Sequence, residues 1–293
     1  VLTLLDATGL LTELRVLPAP KAIVSWNASD AVDTLELIVD TMAGHRSRAL
    51  PYVVFEHAAR ASLSGFDNVA RIDTDIVSAP GEIVAIGVVS RKPLIRVAAS
   101  TPPADAARTG SPRAAARREL DVPELSQYVP ESPDKRGWCV PASLAMLLGA
   151  HGTHVSIAEV VAGVFDRSYD GTGNWTFATA YAGSCGFASA AAYLRDLATV
   201  EQFIVAGLPL ALSIAWNDGE LPGAPLDRSA GHILVVRGFT ENGDVIVNDP
   251  AQPSVRHVYE RRAFSRCWLG HGGVALLVAP PERSDELMRC ANA

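Results

Sequence analysis

Three residues of this chain are of types that do nucleophilic chemistry together: Cys139, His232 and Asp249. Cys139 stands where the polar stretch Lys135-Arg-Gly-Trp138 gives way to the apolar Val140-Pro-Ala-Ser-Leu-Ala-Met-Leu-Leu148. Pro141 suits the first turn of a helix, where its missing N–H costs nothing. Ala142 to Leu148 are mostly good helix formers, and Gly149 is expected to supply the stop. Cys139 therefore falls at or just before a helix N-terminus, whose unpaired N–H groups and positive dipole end favour a thiolate. A lone cysteine in such a place is more often a small buried residue. The assignment rests on the company it keeps.

A thiolate nucleophile needs a base, a group to orient that base, and donors for the oxyanion. His232 follows Gly231, opens the apolar run Ile233–Val236 and stands at the mouth of a polar loop, 217–229. A strand end lets an imidazole face a cleft while the strand fixes its backbone. Val245–Val247 returns from the turn signal Glu241-Asn-Gly-Asp244 and leads into Asn248-Asp249-Pro250. A plain two-residue hairpin there pairs 239 with 246, hence 236 with 249. Asp249 would then lie four residues from His232, about 13 Å at roughly 3.3 Å per residue. A wider turn, bulge or bend is expected to close that distance. Asn248 is the alternative orienter, but a carboxylate better stabilises an imidazolium. His271 is the rival base. His151 and His154 form H-x-x-H without further metal ligands nearby, so no metal is assigned.

Around these residues the chain changes character twice. Residues 1–100 carry β-rich runs at Ala22–Trp26, Thr34–Met42, Leu50–His57, Ala70–Ser78, Glu82–Ser90 and Leu94–Ala99, broken by Gly, Pro, Asn and Asp. They are read as a β-sandwich accessory module. Residues 101–120, rich in Pro, Ala and Arg, read as a linker. Residues 121–280 read as an α+β domain, helices first and then an antiparallel sheet, with 281–293 as a tail. Helices are expected after Cys139, over Ser156–Phe165 with a Ser156/Glu159 capping box, and over Thr176–Ala182, Ala188–Leu197 and Val200–Ala206. Strands are expected at Leu208–Trp216 and Gly273–Ala279.

Composition narrows the function. Net charge is −7, against a phosphate-binding surface and so against nucleic-acid binding as the main role. No run of about 18 apolar residues provides a membrane span. The opening Val1-Leu-Thr-Leu-Leu-Asp6 lacks the pattern of a signal peptide. The four cysteines, Cys139, Cys185, Cys267 and Cys290, include no C-x-x-C pair and are too few for a disulfide scaffold. Tyr169-Asp-Gly-Thr-Gly-Asn-Trp175 is Gly-rich but lacks the Gly-Lys-Ser/Thr of a phosphate loop. No cofactor is indicated.

Gly137-Trp-Cys139-Val-Pro-Ala-Ser-Leu-Ala-Met146, then Gly231-His232, then Asn248-Asp249-Pro-Ala251, with Gln127 upstream, resembles the papain-like cysteine peptidases. The likeness is greatest to cysteine peptidase family 39, the bacteriocin-processing peptidases, and spans residues 121–280. Gly171–Trp175, Gly207-Leu-Pro209 and Val236-Arg-Gly-Phe239 also resemble stretches of secreted bacterial members. Ser25-Trp-Asn-Ala28 and Asp73-Thr-Asp75 resemble the β-rich module that some relatives carry in front. The resemblance implies Cys139 as nucleophile, His232 as general base and acid, Asp249 as orienter and Gln127 in the oxyanion hole. It implies an extracellular or cell-envelope location. Gln127 lies 12 residues before Cys139, about twice the family's usual spacing, and Pro133 at the usual place cannot donate. Trp138 is expected to shape the cleft beside the thiol, with Trp175 as a second substrate-binding residue.

The leading reading is therefore a thiol hydrolase that cleaves a peptide or amide bond of a peptide or protein substrate through an acyl-enzyme. An amide transferase would use the same triad, and a non-catalytic binding protein would use the same scaffold. The β module would bind carbohydrate, cell-wall polymer or protein, or serve only its own partner domain.

Overall fold

A computed structural model describes residues 1–7, 9–29, 32–56, 59–104, 112–130 and 137–293. The expected strand end at His57, residues 105–111 of the linker, and Pro133 with Lys135 and Arg136 lie outside the described residues. Contacts divide the chain into two compact units, Val1–Ala104 with Gly163–Tyr193, and Asp105–Ala162 with Leu194–Ala293.

The first unit contains β1 (Leu2–Asp6), β2 (Leu11–Asn27), β3 (Val32–Thr41), β4 (Leu50–Phe55), β5 (Ala61–Ser62), β6 (Gly65–Phe66), β7 (Arg71–Asp73), β8 (Ile76–Ser90) and β9 (Arg96–Ser100). Their hydrogen bonds join them in one antiparallel sheet, ordered β1-β9-β2-β8-β3-β4-β5 with β7 on β8 and β6 on β7. The β-rich reading of this segment holds. Among the described residues these strands are hydrogen-bonded into one connected sheet.

Helix α1 (Cys139–Ala150) and α2 (Ile157–Val164) precede two further elements of the first unit, α3 (Trp175–Ser184) and β10 (Ala188–Tyr193). The alanine-rich run of β10, expected to be helical, is a fully buried strand. Alternate backbone N–H groups explain it: Ser189, Ala191 and Tyr193 donate to Asn27 Oδ1, Ser25 Oγ and Ser100 Oγ at 3.2, 3.2 and 2.9 Å. This period of two needs an extended chain, and small side chains fit its buried faces, so tertiary partners override alanine's helix propensity. Trp26 packs edge-on to Tyr52, Phe55 and Phe177, with ring centroids 5.8, 5.8 and 6.1 Å away.

The second unit adds α4 (Leu197–Ala206), β11 (Leu210–Trp216), β12 (Ser229–Phe239), β13 (Val245–Asn248), β14 (Arg256–Tyr259), α5 (Arg261–Gly270), β15 (Val274–Ala279) and α6 (Ser284–Ala291). Its strands run antiparallel in the order β15-β11-β12-β13-β14. The unit is α+β, as expected. The capping box forms before α2: Ser156 N–H donates to Glu159 Oε2 at 2.8 Å, and Glu159 N–H to Ser156 Oγ at 3.2 Å. Helix α1 does not stop at Gly149 but runs to Ala150, and left-handed Gly152 (φ +86°) turns the chain. Residues 281–293, read as a tail, form a 3-10 turn and α6, which buries Leu287 and Cys290. Among the described residues no helix is long and apolar enough to cross a membrane.

Residues 118–127 lie along the sheet before the chain reaches α1. Phe239 N–H donates to Arg118 O at 3.0 Å, Leu120 N–H to Arg237 O at 2.7 Å, and Gln127 N–H to Pro250 O at 2.9 Å. Gly238 permits this approach. A Cβ there would sit 2.1 Å from Arg118 O and 2.8 Å from Glu119 Cα, both backbone atoms that cannot swing away. Gly238→Ala is expected to lower stability by about 1–3 kcal/mol through overpacking, read as a lower urea midpoint. An unchanged midpoint would show that the segment is not held against β12.

Candidate active site

Helix α1 is buried on every side from Val140 to Leu148, so its start is held firmly. Ser143 Oγ donates to Ile233 O at 3.2 Å and ties the helix to β12. Trp138 occupies the N-cap position and Cys139 is the first helical residue. The thiol is half-buried and hydrogen-bonded to His232.

His232 pairs with Ile214 across β11 and β12 and is only 7% exposed. Its Nε2 lies 2.7 Å from Asp249 Oδ1, which leaves Nδ1 as the ring nitrogen for the thiol. Trp216 stands edge-on to the imidazole, with ring centroids 5.8 Å apart. The register that brings His232 and Asp249 together departs from a plain hairpin in two ways. The turn is wider, with Phe239 opposite Val245, and a bulge lies between Val236 and Gly238, so that Val235 faces Asn248. Each change moves Asp249 one residue closer to His232, to a position next in line with Leu234. A side chain just past the end of β13 then spans the rest.

Asp249 is fully buried, and each of its oxygens is occupied. Oδ1 also accepts from Ala251 N–H at 3.0 Å, and Oδ2 accepts from the Tyr259 hydroxyl at 2.8 Å. Asn248 faces elsewhere: its Oδ1 accepts from Arg237 at 3.0 Å and its Nδ2 donates to Pro123 O at 2.9 Å. Of the two side chains it is therefore Asp249 that meets His232.

These contacts set the protonation states. Burial pushes the Cys139 thiol up, but the hydrogen bond and charge of His232, with N–H groups of Ile233 and Val140, bring it below its ordinary value. Burial pushes His232 down, yet the charge and hydrogen bond of Asp249, then Cys139, raise it to about 10. Burial pushes the Asp249 carboxyl up, and His232, Tyr259 and the Ala251 N–H outweigh that, leaving it below the usual range. The favoured state is a thiolate–imidazolium pair beside an ionised carboxylate.

The other predicted residues are placed as follows. Gln127 is 7% exposed and tethered through its backbone to Pro250, next to Asp249. Among the described residues its buried Oε1 has no hydrogen-bond partner, and no hydrogen bond joins the side chain to Cys139. Trp175 belongs to the first unit, where its N–H donates to Asp75 at 3.0 Å and opens α3. His271 is the C-terminal cap residue of α5, and His151 Nε2 contacts Val278 O at 3.2 Å. None of the four cysteines is in a disulfide among the described residues. Tyr259 and Trp216 were missed as site residues. The signal for Tyr259 is the β-favouring pair Val258-Tyr259 after a turn-rich stretch, at the end of β14.

Comparison with known proteins adds to this geometry. No curated protein matches the chain. Similar solved structures include a double glycine motif protease from an AMS/PCAT transporter in complex with the leader peptide, at 20% identity over 56% of this chain and 95% of that one, with a TM-score of 0.38. The peptidase domain of Streptococcus ComA, a bi-functional ABC transporter involved in a quorum sensing pathway, is 24% identical over 55% of this chain and 98% of its own, with a TM-score of 0.38. A C39-like peptidase from Bacillus anthracis is 16% identical over 55% and 98%, with a TM-score of 0.44. The Peptidase_C39 like family matches residues 119–276, more than half of the chain and all of the stretch from Gln127 through Asp249. The chain belongs to the Peptidase_C39 like family and is a cysteine peptidase.

Proposed function

We propose that this peptidase cleaves a peptide or amide bond through an acyl-enzyme on Cys139. The observation that carries the reading is the continuous hydrogen-bonded line from the Cys139 thiol through His232 to Asp249, with a 2.7 Å imidazole–carboxylate contact. The thiolate sulfur attacks the carbonyl carbon, forming C–S while the carbonyl electron pair moves onto oxygen. Collapse breaks C–N as His232 passes its proton to the leaving amine. His232 then takes a proton from water, which attacks the thioester, releases the acid and restores the thiolate. Asp249 keeps the imidazole in one orientation and stabilises it while charged. Gln127, buried beside the Asp249 turn, is assigned with the Cys139 N–H to the oxyanion, and Trp138 to the cleft wall. Trp175 receives no role in this reading.

The test uses the thiols themselves. Iodoacetamide at about pH 5.5 is expected to alkylate Cys139 at least tenfold faster than the other cysteines, because thiolate governs reactivity. Burial pushes Cys267 and Cys290 up, away from thiolate. Mass spectrometry of the labelled peptides reads the order. First reaction at Cys185, Cys267 or Cys290, with Cys139 inert, would sink the proposal.

A further inference from the structure

Asp249 Oδ1 is turned to His232, and what holds Oδ2 is a second chain of hydrogen bonds. Tyr259 Oη donates to Asp249 Oδ2 at 2.8 Å. Tyr259 Oη in turn accepts from Gln252 Nε2 at 3.2 Å, and Nε2 also donates to Gly223 O at 2.6 Å, in the loop 217–228. The directions are forced. An amide Nε2 only donates and its two protons are taken, so the Tyr259 hydroxyl must receive from Gln252 and give its own proton to Asp249. Tyr259 cannot rotate to another partner, because its ring is fully buried, stacked on Phe264 at 5.9 Å and met by His257 at 4.6 Å. The loop end of the chain is also tied: Trp216, edge-on to His232, donates from Nε1 to Leu226 O at 2.9 Å.

We propose that Tyr259 is a positioning residue for Asp249 and that Gln252 locks it as a donor, so that the loop 217–228 and the Cys139–His232–Asp249 line form one coupled hydrogen-bonded unit. The inference rests on the reading of that line as the catalytic machinery. Neither residue touches the reacting atoms. A donor to the ionised carboxylate favours its charged form, so removing it raises the pH at which Asp249 takes up a proton. The imidazolium then loses its counter-charge at a higher pH. The titratable groups facing Asp249 are His232 on β12 and Tyr259 and His257 on β14. His257 is unchanged in the variants below and acts on all profiles alike.

The experiment measures the rate of Cys139 alkylation by iodoacetamide against pH in the full chain, for wild type, Tyr259→Phe, Gln252→Leu and the double variant. Phe keeps the ring packing, and the unfolding midpoint checks that each protein is folded. In Tyr259→Phe the acid limb is expected to move up by about one pH unit, with kcat/KM on a proteome-derived peptide library down roughly tenfold and KM within about twofold. Gln252→Leu should move the limb less, and the double variant should add little to Tyr259→Phe, since both act through one hydroxyl. An acid limb that stays in place in folded Tyr259→Phe would overturn the positioning role. Effects that simply add in the double variant would overturn the locked chain. A wild-type Cys139 that shows no reactivity below its ordinary range would instead remove the underlying catalytic reading.

Discussion

Cys139→Ala is expected to abolish peptide cleavage, with kcat/KM falling by about 10⁴-fold or more. In the proposed acyl-enzyme mechanism the effect is this large because Cys139 would supply the only bond the reaction makes to the protein, and neither His232 nor Asp249 can replace a thiolate. Stability should change little. The thiol is half-buried and its removal leaves Val140 to Leu148 packed as before. A second consequence separates loss of chemistry from loss of fold. Cys139 is one of the groups that raise His232, so in the alanine variant the imidazole should titrate at a lower pH than in wild type, while Asp249 still holds it above its ordinary value. Proton NMR of the His232 ring against pH checks this. Cleavage retained above about one part in a hundred would assign the activity to another residue.

Asp249→Ala should be the most damaging substitution to the site and the fold together. The carboxylate is fully buried and receives His232 Nε2–H, Ala251 N–H and the Tyr259 hydroxyl. Alanine strands all three donors and removes the charge that balances the imidazolium. Breaking a buried pair on one side costs about 3–5 kcal/mol, to be read as a lower urea midpoint. kcat/KM should fall by roughly 10²–10⁴-fold, since the imidazole loses its orientation and its stabilised charged form. The linkage has a definite sign. Asp249 is depressed in the folded state, so its contribution is present above its unfolded value near 4 and is lost as pH falls through the folded value. His232 is raised to about 10, so its contribution is full below roughly pH 6.5 and is lost as pH rises through about 10. Stability of wild type should therefore exceed that of Asp249→Ala most between about pH 5 and 6. A difference that does not change with pH would mean the two groups are not paired in the folded protein.

Local chemistry in the sequence went far toward this site. The helix start at Cys139 follows from Pro141 and the helix formers after it. The strand start at His232 follows from Gly231 and the apolar run. The capping box at Ser156 and the left-handed end of α4 at Gly207 also follow from single residues. These features depend on neighbours within four or five positions, where side-chain type dictates backbone geometry directly.

What lay beyond the sequence was every feature set by partners distant in the chain. Ala188–Tyr193 carries helical residues, yet is a strand because Asn27, Ser25 and Ser100 accept its alternate N–H groups from 162, 166 and 93 positions away. Tyr259 finds Asp249 only because β14 pairs with β13. The register of His232 against Asp249 is the sharpest case. The residues required a correction to the plain hairpin, but the wider turn at Thr240–Asp244 and the bulge at Val236–Gly238 that provide it exist only in the folded sheet. Sequence alone determined which residues could form the catalytic line and where each begins its element. The tertiary structure decided that Asp249 and not Asn248 meets His232, because in a strand one residue of register moves a side chain to the opposite face.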